Sequence, residues 1–207
     1  MGENEPITGH VKGAAVHELL VWYEHELGRD HLMEAVQRVP LEMRRKLALD
    51  FGRESLGILT SRWYDSATMF SLLDVIGVGL GAAERIAIGE RAADAVIHKT
   101  LHGVYRVLFG WLATPERYAS FAERLWRSYY DTGTMAVVSA GEHAVCTIRD
   151  WRSHSPLGCE MNRAAAMAIY RAMGCASVDT RRESCVGEGA SECRFVTTWQ
   201  GRGKPPR

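Results

Sequence analysis

The chain turns from helix to sheet at one stretch, Thr134-Met-Ala-Val-Val-Ser-Ala-Gly-Glu-His-Ala-Val-Cys-Thr-Ile-Arg149. Residues 134–139 and 144–149 are rich in β-branched and apolar side chains, and a short Gly-containing segment separates them, which is typical of a β-hairpin. Further along, residues 159–173 have helical spacing with many alanines, and residues 177–186 and 193–199 form two more predicted strands. The last third of the chain therefore predicts an antiparallel sheet of about four strands with one crossing helix.

The residues before this stretch carry apolar side chains at helical spacing. Gly28 ends the first segment, and Thr114-Pro-Glu116 begins the last one with an N-cap, a first-position proline and an acidic first turn. The predicted helices cover residues 11–27, 31–39, 41–51, 65–76, 82–109 and 114–130. The sequence thus predicts an α+β fold with a helical part at about residues 9–131 and an α+β part at about 132–199. Both parts belong to one expected domain, residues 1–199, and residues 200–207 form a flexible tail.

Composition places the chain among globular proteins and excludes several functional classes. Of its 207 residues, 46% are hydrophobic and 24% are charged, which excludes a disordered chain. Lys and Arg together number 25, as do Asp and Glu, so no overall positive field favours nucleic acid. The N-terminus lacks the pattern of a signal peptide, and no apolar run is long enough to span a membrane. Five cysteines without a secretion signal predict reduced thiols or metal ligands in the cytoplasm.

Sequence motifs give no positive indication of catalysis. The chain has neither a Ser nucleophile elbow nor a P-loop. The stretch Gly77-Val-Gly-Leu-Gly-Ala82 matches a dinucleotide-binding pattern in its letters, but the preceding residues have helical spacing and no parallel strand follows. An interhelical glycine-rich turn explains this stretch better. We therefore expect a protein that is not an enzyme.

Three cysteines occupy the ends of predicted elements. Cys159 lies at a helix start, Cys185 at the end of a strand and Cys193 at the start of the next strand. Glu183 lies two residues before Cys185, so its carboxylate projects to the same face of an extended strand. If the helix start packs against this hairpin, three sulfurs and one carboxylate surround a tetrahedral zinc ion. Buried free thiols and a cross-strand disulfide are the alternatives.

The segment Cys159-Glu-Met-Asn-Arg163 together with Arg182-Glu-Ser-Cys-Val-Gly-Glu-Gly-Ala-Ser-Glu-Cys-Arg-Phe195 resembles the C-terminal signature of 4-vinyl reductase-type ligand-binding domains. This group includes phenol-responsive sensor domains, is related in fold to TRAPP subunits and is more distantly related to haem–nitric oxide sensors. The spacing of Cys159, Cys185 and Cys193 in this chain equals that of the zinc ligands in the phenol sensors. The resemblance therefore implies a structural zinc site at these three cysteines. Arg182 stands where that family has its fourth ligand, and Glu183 follows it.

A second resemblance covers residues 9–199. The motifs Ser61-Arg-Trp-Tyr64, His102-Gly-Val-Tyr-Arg106 and Leu125-Trp-Arg-Ser-Tyr-Tyr-Asp-Thr-Gly133 look like those of an uncharacterised domain family expanded in myxobacteria. Haem–nitric oxide sensors carry a Tyr-x-Ser-x-Arg motif that contacts the haem propionates. In Tyr118-Ala-Ser-Phe-Ala-Glu-Arg124 the arginine comes two positions too late to match this motif. The motif of the haem sensors is therefore not met, and we expect no haem.

These resemblances imply a non-catalytic sensor or binding module that takes a small hydrophobic or aromatic molecule and signals to a separate protein. Its cavity is expected between the helices and the sheet, and the alternative is that the same aromatic side chains simply fill the core. A second hypothesis is a ligand-free dimeric scaffold of the TRAPP type. A homodimer through the N-terminal helices is expected from the apolar residues Trp22 and Leu27. The predicted ligand-binding residues are His102, Tyr105, Arg106, Phe109, Trp126, Tyr130 and Tyr170.

Overall fold

The computed structural model describes residues 9–78, 81–100, 114–152 and 154–201, with the side chains of residues 98–100 left out. These residues contain seven α-helices and two antiparallel sheets, which confirms the predicted α+β class. The helices are α1 Ala14–Leu27, α2 Arg29–Gln37, α3 Leu41–Leu47, α4 Ser66–Gly77, α5 Ala82–Thr100, α6 Pro115–Arg127 and α7 Pro156–Ala172. Short 3-10 turns cover Glu54–Gly57 and Val186–Glu188.

Side-chain caps fix where several helices begin. The Thr114 hydroxyl accepts a hydrogen bond from the backbone N–H of Arg117 at the start of α6, as the sequence predicted. Helix α7 starts three residues before the predicted position, because the Ser155 hydroxyl accepts from the Gly158 N–H and Pro156 occupies the first helical position. The signal for this earlier start is therefore local and lies in the Ser-Pro pair.

The larger sheet has four strands, β3 Thr134–Ala140, β4 His143–Arg149, β5 Asp179–Ser184 and β6 Glu192–Thr198. Their order is β3-β4-β6-β5, and every neighbouring pair is antiparallel. Because side chains alternate between the faces of a strand, β4 and β6 bury Cys146, Ile148, Cys193 and Phe195 on one side of the sheet. Register pairs Cys146 with Phe195 and Ile148 with Cys193. This inner face carries residues of both candidate sites described below.

A second, two-stranded sheet pairs β1 His10–Lys12 with β2 Trp63–Asp65. The sequence analysis missed both strands, because three residues are too few to show an alternating pattern. Asp65 also caps α4 by accepting from the Thr68 N–H at 2.8 Å, so strand β2 leads directly into this helix.

Small residues allow helix α7 to lie close to helix α5. Ala93 on α5 packs with Ala164 and Ala168 on α7, and all three are buried. Gly89 adds to this close approach, since a Cβ atom there would lie 3.5 Å from the carbonyl oxygen of Glu160. The alanine-rich stretch noted in the sequence therefore serves helix–helix contact.

The N-terminal helices present part of their apolar surface to solvent. Leu27 at the end of α1 is 39% exposed, whereas Trp22 is partly buried, with the Arg91 guanidinium 5.6 Å from its ring. The homodimer stays a prediction. Among the described helices, none is long and apolar enough to cross a membrane alone. Ser66–Gly77 and Ala82–Ile97 reach that length and composition only together, with a bend of 116° between them.

Candidate ligand cavity and thiol cluster

A cavity of about 310 Å³ lies between helices α1, α5, α6 and α7 and the inner face of the larger sheet. Its wall is mostly apolar, and its size falls at the lower end of small-molecule sites. The described lining residues are Ala14, Ala15, Glu18, Leu19, Ala93, Val96, Ile97, Tyr118, Phe121, Leu125, Trp126, Tyr129, Tyr130, Met135, Cys146, Met161, Asn162, Ala165, Ala166, Ile169 and Phe195.

Helix α6 supplies much of the aromatic wall. Tyr118, Ala122 and Trp126 are spaced four residues apart, so they share one helix face and are buried together. The Trp126 ring stacks on Tyr130 at 4.0 Å, and its indole N–H donates to the carbonyl oxygen of Thr132 at 3.0 Å. This hydrogen bond satisfies the polar edge of the ring and leaves its apolar surface for packing.

The wall carries few polar groups, and most of them are neutral. The Tyr130 hydroxyl shares a hydrogen bond with the Asn162 side chain, and burial raises the pKa of this phenol to about 12. Burial likewise raises the pKa of the Cys146 thiol to about 12. Glu18 is the charged side chain among the described lining residues, and its carboxylate lies 3.2 Å from the His17 ring. A neutral guest therefore matches this wall better than an anion.

The predicted ligand-binding residues have different positions. Trp126 and Tyr130 line the cavity. Tyr170 is buried behind it, with ring centroids 5.7 Å from Tyr118 and 5.0 Å from Trp199. Aromatic residues thus both line the cavity and fill the core. His102, Tyr105, Arg106 and Phe109 lie outside the described residues.

A thiol cluster, which we define as Cys159, Cys185, Cys193 and His154, lies where helix α7 starts beside the β5–β6 hairpin. The Cys159 sulfur is 3.7 Å from that of Cys185 and 3.8 Å from that of Cys193. His154 Nε2 is 3.3 Å from the Cys185 sulfur. All four side-chain atoms lie within 4.8 Å of one another. The three predicted cysteines come together, and histidine joins them.

These separations fit one metal ion. In a tetrahedral site with metal–sulfur bonds of about 2.3 Å, neighbouring sulfurs are about 3.8 Å apart. The two separations from the Cys159 sulfur, 3.7 and 3.8 Å, have this length, and the sulfurs of Cys185 and Cys193 lie within 4.8 Å of each other. Three sulfurs and one imidazole nitrogen are also a common ligand set for thiophilic metals.

Gly187 in the β5–β6 hairpin leaves room for the His154 ring because it has no side chain. A Cβ atom on Gly187 would lie 2.7 Å from Cε1 and 2.8 Å from Nδ1 of the His154 ring. Any side chain at residue 187 would therefore displace the imidazole. The sequence analysis missed His154 because it lies in the irregular segment before α7, outside the strand pattern that indicated the cysteines.

The cluster stabilises one thiolate. A hydrogen bond from the Cys159 thiol, together with the His154 ring and the Val186 N–H, lowers the pKa of Cys193 to about 4. The same contact with Cys193 and burial raise the pKa of Cys159, because its proton is shared with the neighbouring sulfur. Burial also raises the pKa of Cys185. These contacts therefore favour the thiolate form at Cys193 over that at Cys159 or Cys185.

Glu183 lies apart from the sulfur atoms. Its carboxylate accepts from Arg194 at 2.9 Å and from Arg181 at 2.8 Å, and these contacts lower its pKa. Arg182 instead reaches Glu160 at 3.2 Å and Glu188 at 2.5 Å. His154, rather than Glu183, is thus the fourth group that the structure brings to the three cysteines.

A buried ion-pair network ties α7 to its neighbours. Arg163 is 6% exposed, and its guanidinium donates to Glu160 at 2.8 Å and to Glu90 on α5 at 2.8 Å. A third hydrogen bond of 2.7 Å goes to the carbonyl oxygen of Thr180 on β5. One side chain therefore holds a helix, a second helix and an edge strand together.

No protein-family model and no curated protein matches the sequence. Among solved structures, the chain resembles a mutant H-NOX protein from K. algicida in the unliganded Fe(II) form, with a TM-score of 0.64 and 14% identity over 92% of this chain and 97% of that one. An H-NOX mutant from S. oneidensis has a TM-score of 0.62 and is 11% identical in sequence, over 95% of this chain and 100% of that one. A structure from work on haem distortion in the H-NOX family has a TM-score of 0.59 and is 11% identical in sequence, over 95% of this chain and 98% of that one.

These likenesses correct two expectations. The structural neighbours are H-NOX (haem–nitric oxide/oxygen-binding) domains, so the assignment to 4-vinyl reductase-type domains and to their myxobacterial relatives is wrong, and the TRAPP-like form of the fold is not confirmed. Zinc as the cofactor is wrong as well, because the neighbours are haem proteins. At 10–14% identity the likeness concerns the fold, and the chain shares the fold of H-NOX domains over nearly its whole length.

Proposed function

We propose that the chain is a non-catalytic sensor or binding module whose cavity takes a neutral, largely apolar molecule and whose occupied state is read by a separate protein. The fold shared with H-NOX domains agrees with the expectation that the chain is not an enzyme. The observation that carries the proposal is the aromatic cavity wall with one hydrogen-bonded polar pair, Tyr130 and Asn162. A wall of this kind favours an aromatic guest with one hydroxyl group.

Haem, the cofactor of the H-NOX neighbours, does not fit the described part of this wall. A haem needs an axial ligand and partners for its two propionates. The described lining residues include no histidine, lysine or arginine, so this part of the wall offers the propionates no cation, and the thioethers of Met135 and Met161 are the neutral groups there that could face an iron. The carboxylate of Glu18 would oppose the propionates. The composition of the wall therefore supports a neutral guest.

Binding of 1-naphthol to the apoprotein tests this proposal. We expect saturable binding by calorimetry, and at about 100 times the dissociation constant a stabilisation of about 2.7 kcal/mol. The anion 2-naphthoate should bind much more weakly, because the described wall offers it no cation. Ala166→Leu should block the cavity, whereas the same change at the exposed Ala83 of α5 should leave binding intact.

Two results would contradict a neutral guest. The first is an absence of 1-naphthol binding, or binding that Ala166→Leu leaves unchanged. The second is stoichiometric uptake of haemin, seen as a shifted Soret band, that displaces 1-naphthol. The second result would favour the cofactor of the structural neighbours.

We also propose that the side chains of the thiol cluster can take up one added soft metal ion such as Cd²⁺, and this proposal does not extend to a resident zinc cofactor. The tetrahedral spacing of the sulfurs supports this proposal. With Cd²⁺ as the probe, we expect one ion per chain, measured by sulfur-to-metal charge-transfer absorption, and a higher melting temperature. Cys185→Ser should abolish both effects, and Cys175→Ser, at a buried cysteine of another core cluster, should keep them. Weak Cd²⁺ uptake that does not depend on Cys185 would mean that the cluster is a set of buried thiols.

A further inference from the structure

Trp151 stands between the ligand cavity and the thiol cluster. On one side its ring meets the cavity residues Trp126 and Tyr130, edge to face, at centroid distances of 5.2 and 5.7 Å. On its other side it meets the His154 ring at 5.2 Å and an angle of 76°. One indole therefore contacts residues of both sites.

The surroundings of Trp151 leave its ring little freedom. The residue is 4% exposed, and Phe70 packs against it edge to face at 5.6 Å. Gly133, in the left-handed region at φ +78°, lets the backbone pass so closely that a Cβ atom there would lie 3.2 Å from the Trp151 Cα. Within the part of the chain that the structure describes, the indole nitrogen is buried without a hydrogen-bond partner. Packing alone therefore sets the position of the ring.

We propose that the cavity and the thiol cluster are linked sites and that Trp151 couples them. This inference rests on the proposed binding function. A guest pressed against Trp126 and Tyr130 holds Trp151 in place, and Trp151 in turn holds the His154 ring against the hairpin that carries Cys185 and Cys193. Close-packed interiors transmit such displacements because they have no free volume to absorb them. The β5–β6 hairpin held in this position is the state that a second protein would read.

The sheet offers a second connection between the sites, so the test must separate the two. Cys146 lines the cavity and pairs with Phe195, two residues from Cys193 on the same strand. Replacement of Trp151 by phenylalanine keeps the sheet and an aromatic ring but shortens the contact to His154. Trp199→Phe is the matched control, because Trp199 is about equally buried and packs against Tyr170, with ring centroids 5.0 Å apart, and makes no ring contact with His154 among the described residues.

The experiment measures how fast iodoacetamide alkylates each cysteine, by mass spectrometry, with and without 1-naphthol. Cys146 reports cavity occupancy directly, because it lies in the wall. Cys175 is buried in another cluster and reports any general slowing of unfolding. Beyond the effect at Cys175, we expect 1-naphthol to slow alkylation of Cys185 and Cys193 by at least about fivefold, the lower range of coupling between sites. This extra protection should vanish in Trp151→Phe and persist in Trp199→Phe.

Each outcome bears on a different claim. If Cys146 is protected while Cys185 and Cys193 change only as much as Cys175 does, the cavity binds its guest and the linkage is wrong. If the extra protection survives in Trp151→Phe, the sheet carries the coupling and the role of Trp151 is wrong. If 1-naphthol leaves Cys146 unprotected, the proposed function fails, and the linkage fails with it.

Discussion

Arg163→Ala is expected to lower the free energy of unfolding by about 3–5 kcal/mol, the usual effect of removing one partner of a buried ion pair. The guanidinium makes three hydrogen bonds, to Glu160, Glu90 and the Thr180 carbonyl oxygen. Its loss leaves the Glu160 carboxylate, 8% exposed, with Arg182 as its remaining partner. Chemical denaturation at neutral pH measures the change.

The chain contains its own control for this effect. Arg171 and Asp94 join the same two helices, α7 and α5, at 3.4 Å, but both side chains are about half exposed. Arg171→Ala should cost about 0–1 kcal/mol, as exposed ion pairs do. Equal losses in the two variants would contradict a special role for the buried network.

Trp126→Ala should also destabilise the protein by about 3–5 kcal/mol, the range found for truncated core aromatics. The ring is 2% exposed, stacks on Tyr130 and meets Trp151 edge to face. Its removal also leaves the Thr132 carbonyl without its indole donor. The midpoint of urea unfolding, compared with that of the unmodified protein, gives the loss.

Trp63→Ala is the matched comparison, because this tryptophan is 42% exposed on β2. A surface change of this kind usually alters the free energy of unfolding by about 0.5 kcal/mol or less. Were Trp63→Ala as damaging as Trp126→Ala, burial would not explain the importance of Trp126.

Local patterns in the sequence predicted most of the helices and the larger sheet. Gly28, at φ +90°, separates α1 from α2, and Thr114 caps α6, as residue chemistry alone suggests. The strand order of the sheet was beyond such reasoning. It depends on β4 pairing with β6 across the inserted helix α7, and this is a long-range contact that no local pattern encodes.

In the candidate sites, too, some residues could be predicted from local sequence and others depend on long-range packing. The three cysteines at element ends were predicted to meet, and their sulfurs do meet. Glu183 was assigned from its place on a strand, but Arg181 and Arg194 hold its carboxylate. His154 and Asn162 gave no sequence signal, because their roles arise only when α7 packs between the sheet and α5. Sequence reasoning thus found the residues with distinctive chemistry and missed those selected by tertiary packing.

The missing side chain at residue 187 carries an evolutionary consequence. Because a Cβ atom there would overlap the His154 ring, residues 154 and 187 are not free to change independently. In related sequences, a histidine at the first position should be accompanied by glycine at the second. A larger residue at 187 should appear only where the imidazole has been lost or has moved. Joint variation of these two positions would thus separate relatives that keep the four-membered thiol cluster from those that keep only its cysteines.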